Sequence, residues 1–303
     1  MVKQIISINE ITRDEILQIV ETALNIKKNG TYFAKKLEDK TLLLLFQKTS
    51  TRTRLAFELG MKKLGGQTII MDWEKSNFTI SPLRYESRYI GRMVDCIMAR
   101  LLRNEDIIEM ANSVSIPVIN GCCDMYHPSQ VLADLLTIYE VKGGFNTSVT
   151  YTGVQNNVAN SLFYACMKLG LKLTFVTPLK DAVPQDFFKL AEQSHFFHQT
   201  LDLGDAVRES EFIYTDTWIN MEEFSLNRRD PKMEEKVRTM LPYQVNKQLI
   251  EKKDIFVMHD MPVHPGLEID DYAINCERSL VFQQAENRLY TAQALLLYLL
   301  EAV

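Results

Sequence analysis

Short apolar runs alternate with amphipathic stretches along most of the chain. The run Thr41–Phe46 is typical of a parallel strand buried on both faces. After Thr12, apolar residues recur at helical spacing, and Thr12 with Glu15 predicts a capping box. The pattern predicts strands at 41–46, 68–71, 94–99, 116–119, 148–152, 173–176, 212–215 and 254–258. It predicts helices from Thr12 to a stop at Gly30 and at 51–64, 130–139, 157–169, 187–193 and 286–300.

Repeated strand–helix units on both sides of Gly143-Gly144 predict an α/β protein with two doubly wound parallel-sheet domains. The length of 303 residues agrees with two domains of ~150 residues each. We place the first domain at 1–142 and the second at 143–285. The segment 220–253 breaks the alternation, because it is charge-rich and only weakly helical, at 233–240. For its length we expect a mobile loop that closes over a substrate.

Composition and charge exclude several classes of protein. The chain carries 34 basic and 39 acidic residues, so it lacks the basic excess that drives binding to nucleic acid. No apolar run approaches the ~20 residues of a membrane span, and residues 1–10 lack the apolar core of a signal peptide. The five cysteines lack zinc-ligand spacing. We therefore expect a cytoplasmic protein with reduced thiols, no metal, and no nucleic-acid or membrane partner.

The most informative local sequence is Ser50-Thr51-Arg52-Thr53-Arg54, which follows the predicted strand 41–46 and opens a helix. At such a junction, free backbone N–H groups and the positive end of the helix dipole attract an anion. Hydroxyls and guanidinium forks add donors that fit phosphate oxygens. The alternative is an ordinary solvated N-cap, but cations at a helix N-terminus oppose the dipole unless an anion offsets them. The motif therefore predicts a phosphate-binding site.

Six short motifs, spread from the first predicted domain to the last helix, occur in the order of one enzyme family. They are Phe46-Gln-Lys-Thr-Ser-Thr-Arg-Thr-Arg54, Met98-Ala-Arg100, His127-Pro-Ser-Gln130, Asn156-Asn157, His259-Asp-Met-Pro262 and Ala285-Glu-Asn-Arg288. In these motifs the chain resembles the aspartate/ornithine carbamoyltransferases over nearly its whole length. The resemblance implies that a C-terminal helix, 286–303, returns to the first domain. It also implies that the first domain binds carbamoyl phosphate and the second an acceptor amine.

The resemblance implies a role for each residue of the donor site. An oxyanion forms at the carbamoyl carbon when an amine attacks, and positioned donors stabilise that charge. By resemblance Arg100, His127 and Thr53 polarise the carbonyl oxygen, while Gln130 and the backbone carbonyl of Met261 accept from the carbamoyl nitrogen. The residues that hold the phosphate are Ser50, Thr51, Arg52, Thr53 and Arg54, and Arg288 completes the pocket. Positioning and electrostatics suffice for this chemistry, so we expect no cofactor.

Each of these residues also has an ordinary structural interpretation. His127 before Pro128 could cap a helix, and Gln130 could donate to a loop. Arg100 could form a surface ion pair, and Arg288 could pair with a nearby acid. Jointly these alternatives lose weight, because the phosphate motif and the His-Pro-x-Gln motif occur in one chain.

The acceptor site departs from the ornithine enzymes, which carry Asp-x-x-x-Ser-Met-Gly and His-Cys-Leu-Pro. Asn157, Asp216 and Met221 match the family, whereas Asn220, Glu222 and Asp260 replace its Ser, Gly and Cys. Asp260 adds a second carboxylate beside the reacting amine, which attracts an ammonium group and raises its pKa. We therefore expect activity to rise into the alkaline range, because the attacking amine must be neutral. Unless it points to solvent, Glu222 favours a diamine over ornithine, and aspartate is disfavoured further.

The leading hypothesis is a carbamoyltransferase that acts on ornithine, a related basic amino acid or a diamine. One alternative is a non-catalytic relative that binds carbamoyl phosphate or phosphate in a regulatory role. A nucleotide-binding oxidoreductase would need a GxGxxG turn, which neither Gly65-Gly66 nor Gly143-Gly144 supplies. By resemblance the protein is a homotrimer or a multiple of trimers in which a residue of a neighbouring subunit reaches the phosphate. The matching stretch 74–77 lacks the family's Gln, and Lys75 or Ser76 is the candidate to replace it.

Overall fold

The computed structural model describes residues 2–219 and 231–302. The chain divides into two compact units, which are described in turn. Unit 1 comprises residues 1–141 and 286–303, and unit 2 comprises residues 142–285.

Helices and strands alternate through both units. Numbered in chain order within the described residues, the helices α1 to α12 are Arg13–Asn29, Thr51–Lys63, Leu83–Ile90, Asn104–Ser113, Pro128–Lys142, Asn157–Leu169, Phe187–Gln193, Leu203–Arg208, Pro231–Met240, Lys247–Ile250, Asp271–Asn275 and Val281–Leu299. The strands β1 to β9 are Thr41–Phe46, Gln67–Asp72, Cys96–Arg100, Val118–Cys122, Ser148–Gln155, Lys172–Lys180, Phe197–Gln199, Phe212–Thr215 and Phe256–His259.

Unit 1 is built on a parallel sheet of four strands in the order β2-β1-β3-β4. The central strand β1 buries Leu42 to Leu45 in succession, because helices cover both faces of such a sheet. After β2 the chain crosses to the other side of β1 to form β3, so strand order reverses at β1 and β3. Phe46 and Arg100 pair in register at the carboxyl ends of these two strands. In doubly wound sheets, the crevice outside such a reversal is where ligands bind.

Unit 2 repeats this plan with a parallel sheet of five strands in the order β7-β6-β5-β8-β9. Its core contains packed aromatic rings, among them Phe163, Phe175 and Phe187. Strand order reverses between β5 and β8. The carboxyl ends of β5, β8 and β9 therefore define the crevice of this unit where a ligand is expected.

The predicted fold class is confirmed, and the capping box is present, with Thr12 and Glu15 exchanging hydrogen bonds. Strands predicted at 94–99 and 116–119 begin two residues later, at Cys96 and Val118, partly because Val94 still donates to the Ile90 carbonyl. The pattern gave no bounds for α3 and α4, which lie between the predicted strands of unit 1, and it missed β7, α8, α10 and α11, which are short. Within the described residues, no helix is long and apolar enough to cross a membrane.

The segment 220–253 is only partly described. Residues 231–253 contain helices α9 and α10, so this part is more regular than the predicted loop. The predicted helical stretch 233–240 lies within α9. Residues 220–230 lie outside the described residues.

Candidate active site

The phosphate motif lies where the fold of unit 1 predicts a ligand, directly after the carboxyl end of β1. Ser50 is the N-cap of α2 in extended conformation, and its side chain forms no capping hydrogen bond to the described residues. Helix α2 begins at Thr51, so the N–H groups of its first turn belong to the positive end of the helix dipole. Thr53 is buried, and Arg52 is half-buried. This junction therefore offers backbone and side-chain donors to an anion.

The C-terminal helix α12 contributes Arg288 to the same junction. The buried Arg288 donates a hydrogen bond from Nη2 to Oγ1 of Thr53, at 2.7 Å. Its neighbour Asn287 donates to Thr137 and Glu140 of α5 and accepts from Lys27 of α1. Lys27 and Glu140 also form an ion pair at 2.8 Å. These bonds fix the helix, and with it the guanidinium of Arg288, within unit 1.

His127 is buried in unit 1 among cationic side chains. It precedes α5 and is only 5% exposed, and its Nδ1 lies 3.4 Å from Oγ of Ser129. Burial holds the pKa of His127 well below its ordinary value, and the positive charges nearby lower it further, those of Arg288, Arg100, Lys48 and Arg52. The imidazole is therefore neutral at pH 7. Four cations around one neutral buried ring make this place suited to an anion.

Arg100 is held at the end of β3 by the loop that follows β1. The backbone N–H of Gln47 donates to the Arg100 carbonyl at 2.9 Å, and the Gln47 side chain accepts from the N–H of Leu102. The Nε atom of Arg100 is buried and has no hydrogen-bond partner among the described residues. A bound ligand could supply that partner.

Gln130 presents a buried acceptor. Its Nε2 donates to Oδ1 of Asp134, one helical turn further along α5, at 2.9 Å. Its Oε1 is buried and, in the part of the chain that the structure describes, accepts no hydrogen bond. Buried polar atoms are seldom left unpaired, so this oxygen is poised for a donor that a ligand brings.

Arg54 lies apart from this cluster, and the prediction that it holds the phosphate stays a prediction. It is exposed and pairs with Glu58 one turn along α2, at 3.2 Å. Arg52 and Arg54 are two residues apart, so their positions lie about 200° apart around the helix. The motif contains both arginines, but they occupy different positions around the axis of α2.

Sequence reasoning missed two residues of this cluster. Lys48 stands in the loop between β1 and α2 and contributes to the electrostatics at His127. Asp134 is fully buried against Gln130. The signal for Lys48 was its place inside the phosphate motif, and the signal for Asp134 was its spacing of four from Gln130 on a predicted helix.

In unit 2, Asp216 and Asp260 are neighbours because of strand register. Thr215 of β8 pairs with His259 of β9, so the next residue of each parallel strand emerges side by side. Oxygen atoms of both carboxylates and a ring nitrogen of His259 lie within 4.8 Å of one another. Asn156, the N-cap of α6, donates to Oδ2 of Asp216 at 2.5 Å. Asn157 follows at the start of α6, half-buried.

His259 supports the loop after β9. Its Nδ1 accepts from the N–H of Met261 at 2.8 Å, so the ring proton resides on Nε2, which lies 3.3 Å from Oε1 of the buried Glu268. Burial raises the pKa of Glu268, but hydrogen bonds involving His259 and His264 outweigh burial and leave that pKa below its ordinary value. Met261 takes a positive φ of 62°, a strained conformation that such a network can hold.

The grouping of Asp216, His259 and Asp260 has donor atoms that metal ions use. Both ring nitrogens of His259 are already engaged, by Met261 and by Glu268. Asp216 accepts from the N–H of Thr217 as well as from Asn156. Two neighbouring carboxylates carry a negative charge that suits an ammonium ion. The predicted acceptor residues Asn220, Met221 and Glu222 lie outside the described residues.

Fold and site together define a parallel α/β protein with a cluster of cationic side chains in unit 1 and a pair of neighbouring carboxylates in unit 2. Residues 3–140 match the family profile described as aspartate/ornithine carbamoyltransferase, carbamoyl-P binding domain, and residues 146–299 match its Asp/Orn binding domain. The chain therefore belongs to the aspartate/ornithine carbamoyltransferase family.

Individual relatives agree with this assignment. The ornithine carbamoyltransferase of Archaeoglobus fulgidus is 35% identical over 305 residues, covering 98% of this chain and 97% of the relative. That of Haloquadratum walsbyi is 38% identical over 298 residues, covering 97% of each chain. The solved ornithine carbamoyltransferase from Pyrococcus furiosus superposes with a TM-score of 0.91 at 35% identity, covering 99% of this chain and 98% of that one.

Proposed function

We propose that this protein transfers the carbamoyl group of carbamoyl phosphate to an amine of ornithine, a related basic amino acid or a diamine, and releases phosphate. The observation that carries the proposal is the buried, neutral His127 among four cationic side chains, three residues before Gln130, whose Oε1 has no hydrogen-bond partner within residues 2–219 and 231–302. Carbamoyl phosphate offers what this cluster requires: a dianionic phosphate, a polarisable carbonyl and an N–H donor.

The phosphate of the donor binds at the junction of β1 and α2. The hydroxyls of Ser50, Thr51 and Thr53 and the guanidinium of Arg52 surround the first turn of α2, whose N–H groups favour an anion. Arg288 reaches the same place through its bond to Thr53. Guanidinium groups suit this task because they bind phosphate oxygens in pairs.

The carbonyl oxygen is polarised by Arg100, His127 and Thr53. A neutral imidazole can donate one N–H without adding charge, and Ser129 beside Nδ1 helps to fix the ring. When the amine attacks, negative charge develops on the carbonyl oxygen, and donors already in place stabilise that charge. Loss of one such donor costs about 3 kcal/mol in comparable oxyanion sites. Gln130 orients the carbamoyl group by accepting from its nitrogen.

The acceptor binds in unit 2 through its cationic end, which Asp216 and Asp260 attract. The amine nitrogen attacks the carbonyl carbon, the bond from that carbon to the phosphate oxygen breaks, and phosphate leaves with the electron pair. The nitrogen loses one proton on becoming neutral and a second in forming the ureido product. Because nearby carboxylates raise the pKa of the ammonium group, the neutral fraction and the rate rise with pH.

Ornithine is the first acceptor to consider, because the relatives described above are named ornithine carbamoyltransferases. The argument for a diamine rests on Glu222, outside the described residues. Aspartate is disfavoured, because Asp216 and Asp260 repel its carboxylates. The matched family profiles and the relatives named above give no support to a non-catalytic protein.

The assembly we propose is a homotrimer or a multiple of trimers. Strand β2 lies at an edge of the sheet of unit 1, yet Ile69 is 48% and Ile70 37% exposed. Leu55 and Leu59 of α2 are exposed as well. Apolar side chains on an unpaired edge mark an interaction surface. The Lys75 side chain, 83% exposed, is the better of the two predicted residues to reach a neighbouring subunit, since Ser76 caps a short helix in its own chain.

The test is to incubate the purified protein with carbamoyl phosphate labelled at the carbamoyl carbon and with ornithine, at about pH 7 and about pH 9. The proposal requires labelled ureido product and phosphate in equal amounts, with a higher rate at the higher pH. Phosphate release without labelled product would indicate a hydrolase. Protection from heat by carbamoyl phosphate without any product would restore the non-catalytic alternative.

A further inference from the structure

The side chain of Asp134 faces the amide of Gln130, and neither residue is exposed. Both lie on helix α5, four positions apart, and Nε2 of Gln130 donates to Oδ1 of Asp134 at 2.9 Å. A carboxylate offers acceptors, so it selects the amide orientation that places the NH₂ group toward it. The opposite end of the amide, Oε1, is then necessarily the end that has no partner among the described residues.

We propose that Asp134 is the positioning residue that makes Gln130 an acceptor toward the donor substrate, and thereby selects a carbamoyl group. The inference rests on the proposed function. If the amide turned over, its NH₂ would meet the NH₂ of carbamoyl phosphate, and two donors would face each other. The carboxylate of Asp134 prevents this without touching the substrate.

The consequence is discrimination against donors that lack an N–H. Acetyl phosphate has nearly the same shape, but it carries a methyl group where carbamoyl phosphate carries NH₂. Bound acetyl phosphate would leave Oε1 of Gln130 buried and unpaired. Sites built to hydrogen-bond a substrate group reject analogues that lack it, because a buried polar group stays unsatisfied.

The first variant is Asp134→Asn, which keeps the shape but lets either end of the Gln130 amide find a partner. We expect kcat/KM for carbamoyl phosphate to fall roughly tenfold, since a charge-assisted bond and a fixed orientation are both lost. The inhibition constants of inorganic phosphate and of acetyl phosphate should stay within about twofold, because neither probe carries an N–H. If Asp134 had only a structural role, the substitution would weaken the binding of carbamoyl phosphate, inorganic phosphate and acetyl phosphate together.

The matched control is Asp95→Asn, a structural carboxylate of the same unit at the other end of the sheet. Asp95 accepts from the N–H of Thr41, where β1 begins, and from Lys40. Asp95→Asn should lower the melting temperature. It should leave kcat/KM for carbamoyl phosphate and the inhibition constants of inorganic phosphate and acetyl phosphate unchanged.

A double-mutant cycle separates coupling between the two residues from two independent losses. Gln130→Glu alone sets two carboxylates against each other, whereas Gln130→Glu with Asp134→Asn exchanges the two groups at constant charge. In the double variant the carboxylate at position 130 offers an acceptor in either orientation. We expect it to exceed Gln130→Glu at least tenfold in kcat/KM for carbamoyl phosphate. The inference would be overturned if the losses in kcat/KM of the two single variants were additive, or if the binding of inorganic phosphate weakened equally. Absence of ureido product from the unaltered protein would instead refute the proposed function.

Discussion

Arg288 and Thr53 lie 235 positions apart in the chain, yet the guanidinium donates a 2.7 Å hydrogen bond to the threonine hydroxyl inside unit 1. The end of the chain thus completes a site that begins at residue 50. Arg288→Lys keeps the charge but loses the planar fork that binds both Thr53 and a phosphate oxygen. We expect KM for carbamoyl phosphate to rise about tenfold or more, measured by initial rates. Thr53→Ser, which keeps the hydroxyl, should change KM far less. Equal effects of the two substitutions would contradict this arrangement.

The two arginines of the phosphate motif should differ sharply. Arg52→Ala removes a group from the cation cluster around His127 and should lower kcat/KM at least a hundredfold, or about 3 kcal/mol. Arg54→Ala removes an exposed pair with Glu58, of a kind worth only about 0.3–0.5 kcal/mol to stability. The difference is measured as kcat/KM of both variants for carbamoyl phosphate and as the inhibition constant of inorganic phosphate. Comparable losses would show that Arg54 reaches the ligand.

His127 should make stability depend on pH. Its pKa is held well below the ordinary 6.5 in the folded protein, so as pH falls below about 6.5 the unfolded chain takes up a proton that the folded chain does not. Stability is therefore full above this pH and falls below it, by at most about 1.4 kcal/mol per pH unit. Chemical denaturation from about pH 7.5 to about pH 5.5 measures the slope. His127→Gln should flatten it, and an unchanged slope would contradict the assignment.

Saturating sulfate, which stays a dianion across this pH range, should reduce the same pH dependence. An anion offsets the surrounding cations and so raises the pKa of His127 toward its ordinary value. The measurement is the same titration with and without sulfate. No change in the slope on adding sulfate would mean that the anion binds elsewhere.

Asp260 should control the acceptor without affecting the donor. Asp260→Asn removes one of two carboxylates beside the amine, which weakens attraction for the ammonium group and lowers its pKa. We expect the acceptor KM to rise about tenfold and the alkaline limb of the pH–rate profile to move toward lower pH. The matched control is Asp202→Asn, a helix cap of the same unit that Asn can replace. A rise in KM for carbamoyl phosphate instead would place Asp260 in the donor site.

The exposed edge of unit 1 should hold the assembly together. Ile69→Asp introduces a charge into the apolar surface of β2 and should reduce the particle from a trimer to a single chain of 35.0 kDa. Light scattering after gel filtration measures the mass. Phe188→Asp alters an equally exposed apolar residue of unit 2 and should leave the trimer intact. A single chain in the unaltered protein would exclude the proposed assembly.

The parallel sheets were predictable because buried strands such as Thr41–Phe46 read as unbroken apolar runs. Very short elements such as α10 were not, since Lys247–Ile250 spans too few positions to show a period. At the site, sequence motifs located Arg52, His127 and Gln130. They could not separate Arg52 from Arg54, whose directions depend on helical phase. Nor could they show the Gln130–Asp134 bond, which exists only once both side chains are buried together.

The most direct test of carbamoyl transfer to a cationic amine is a comparison of acceptors. Ureido product is measured with carbamoyl phosphate and, in turn, ornithine, lysine, putrescine, agmatine, acetylornithine and aspartate. Turnover with ornithine or another cationic amine, and none with aspartate, is the result that the two carboxylates of unit 2 predict. Faster turnover of aspartate than of every cationic amine, or no product with any acceptor, would contradict it.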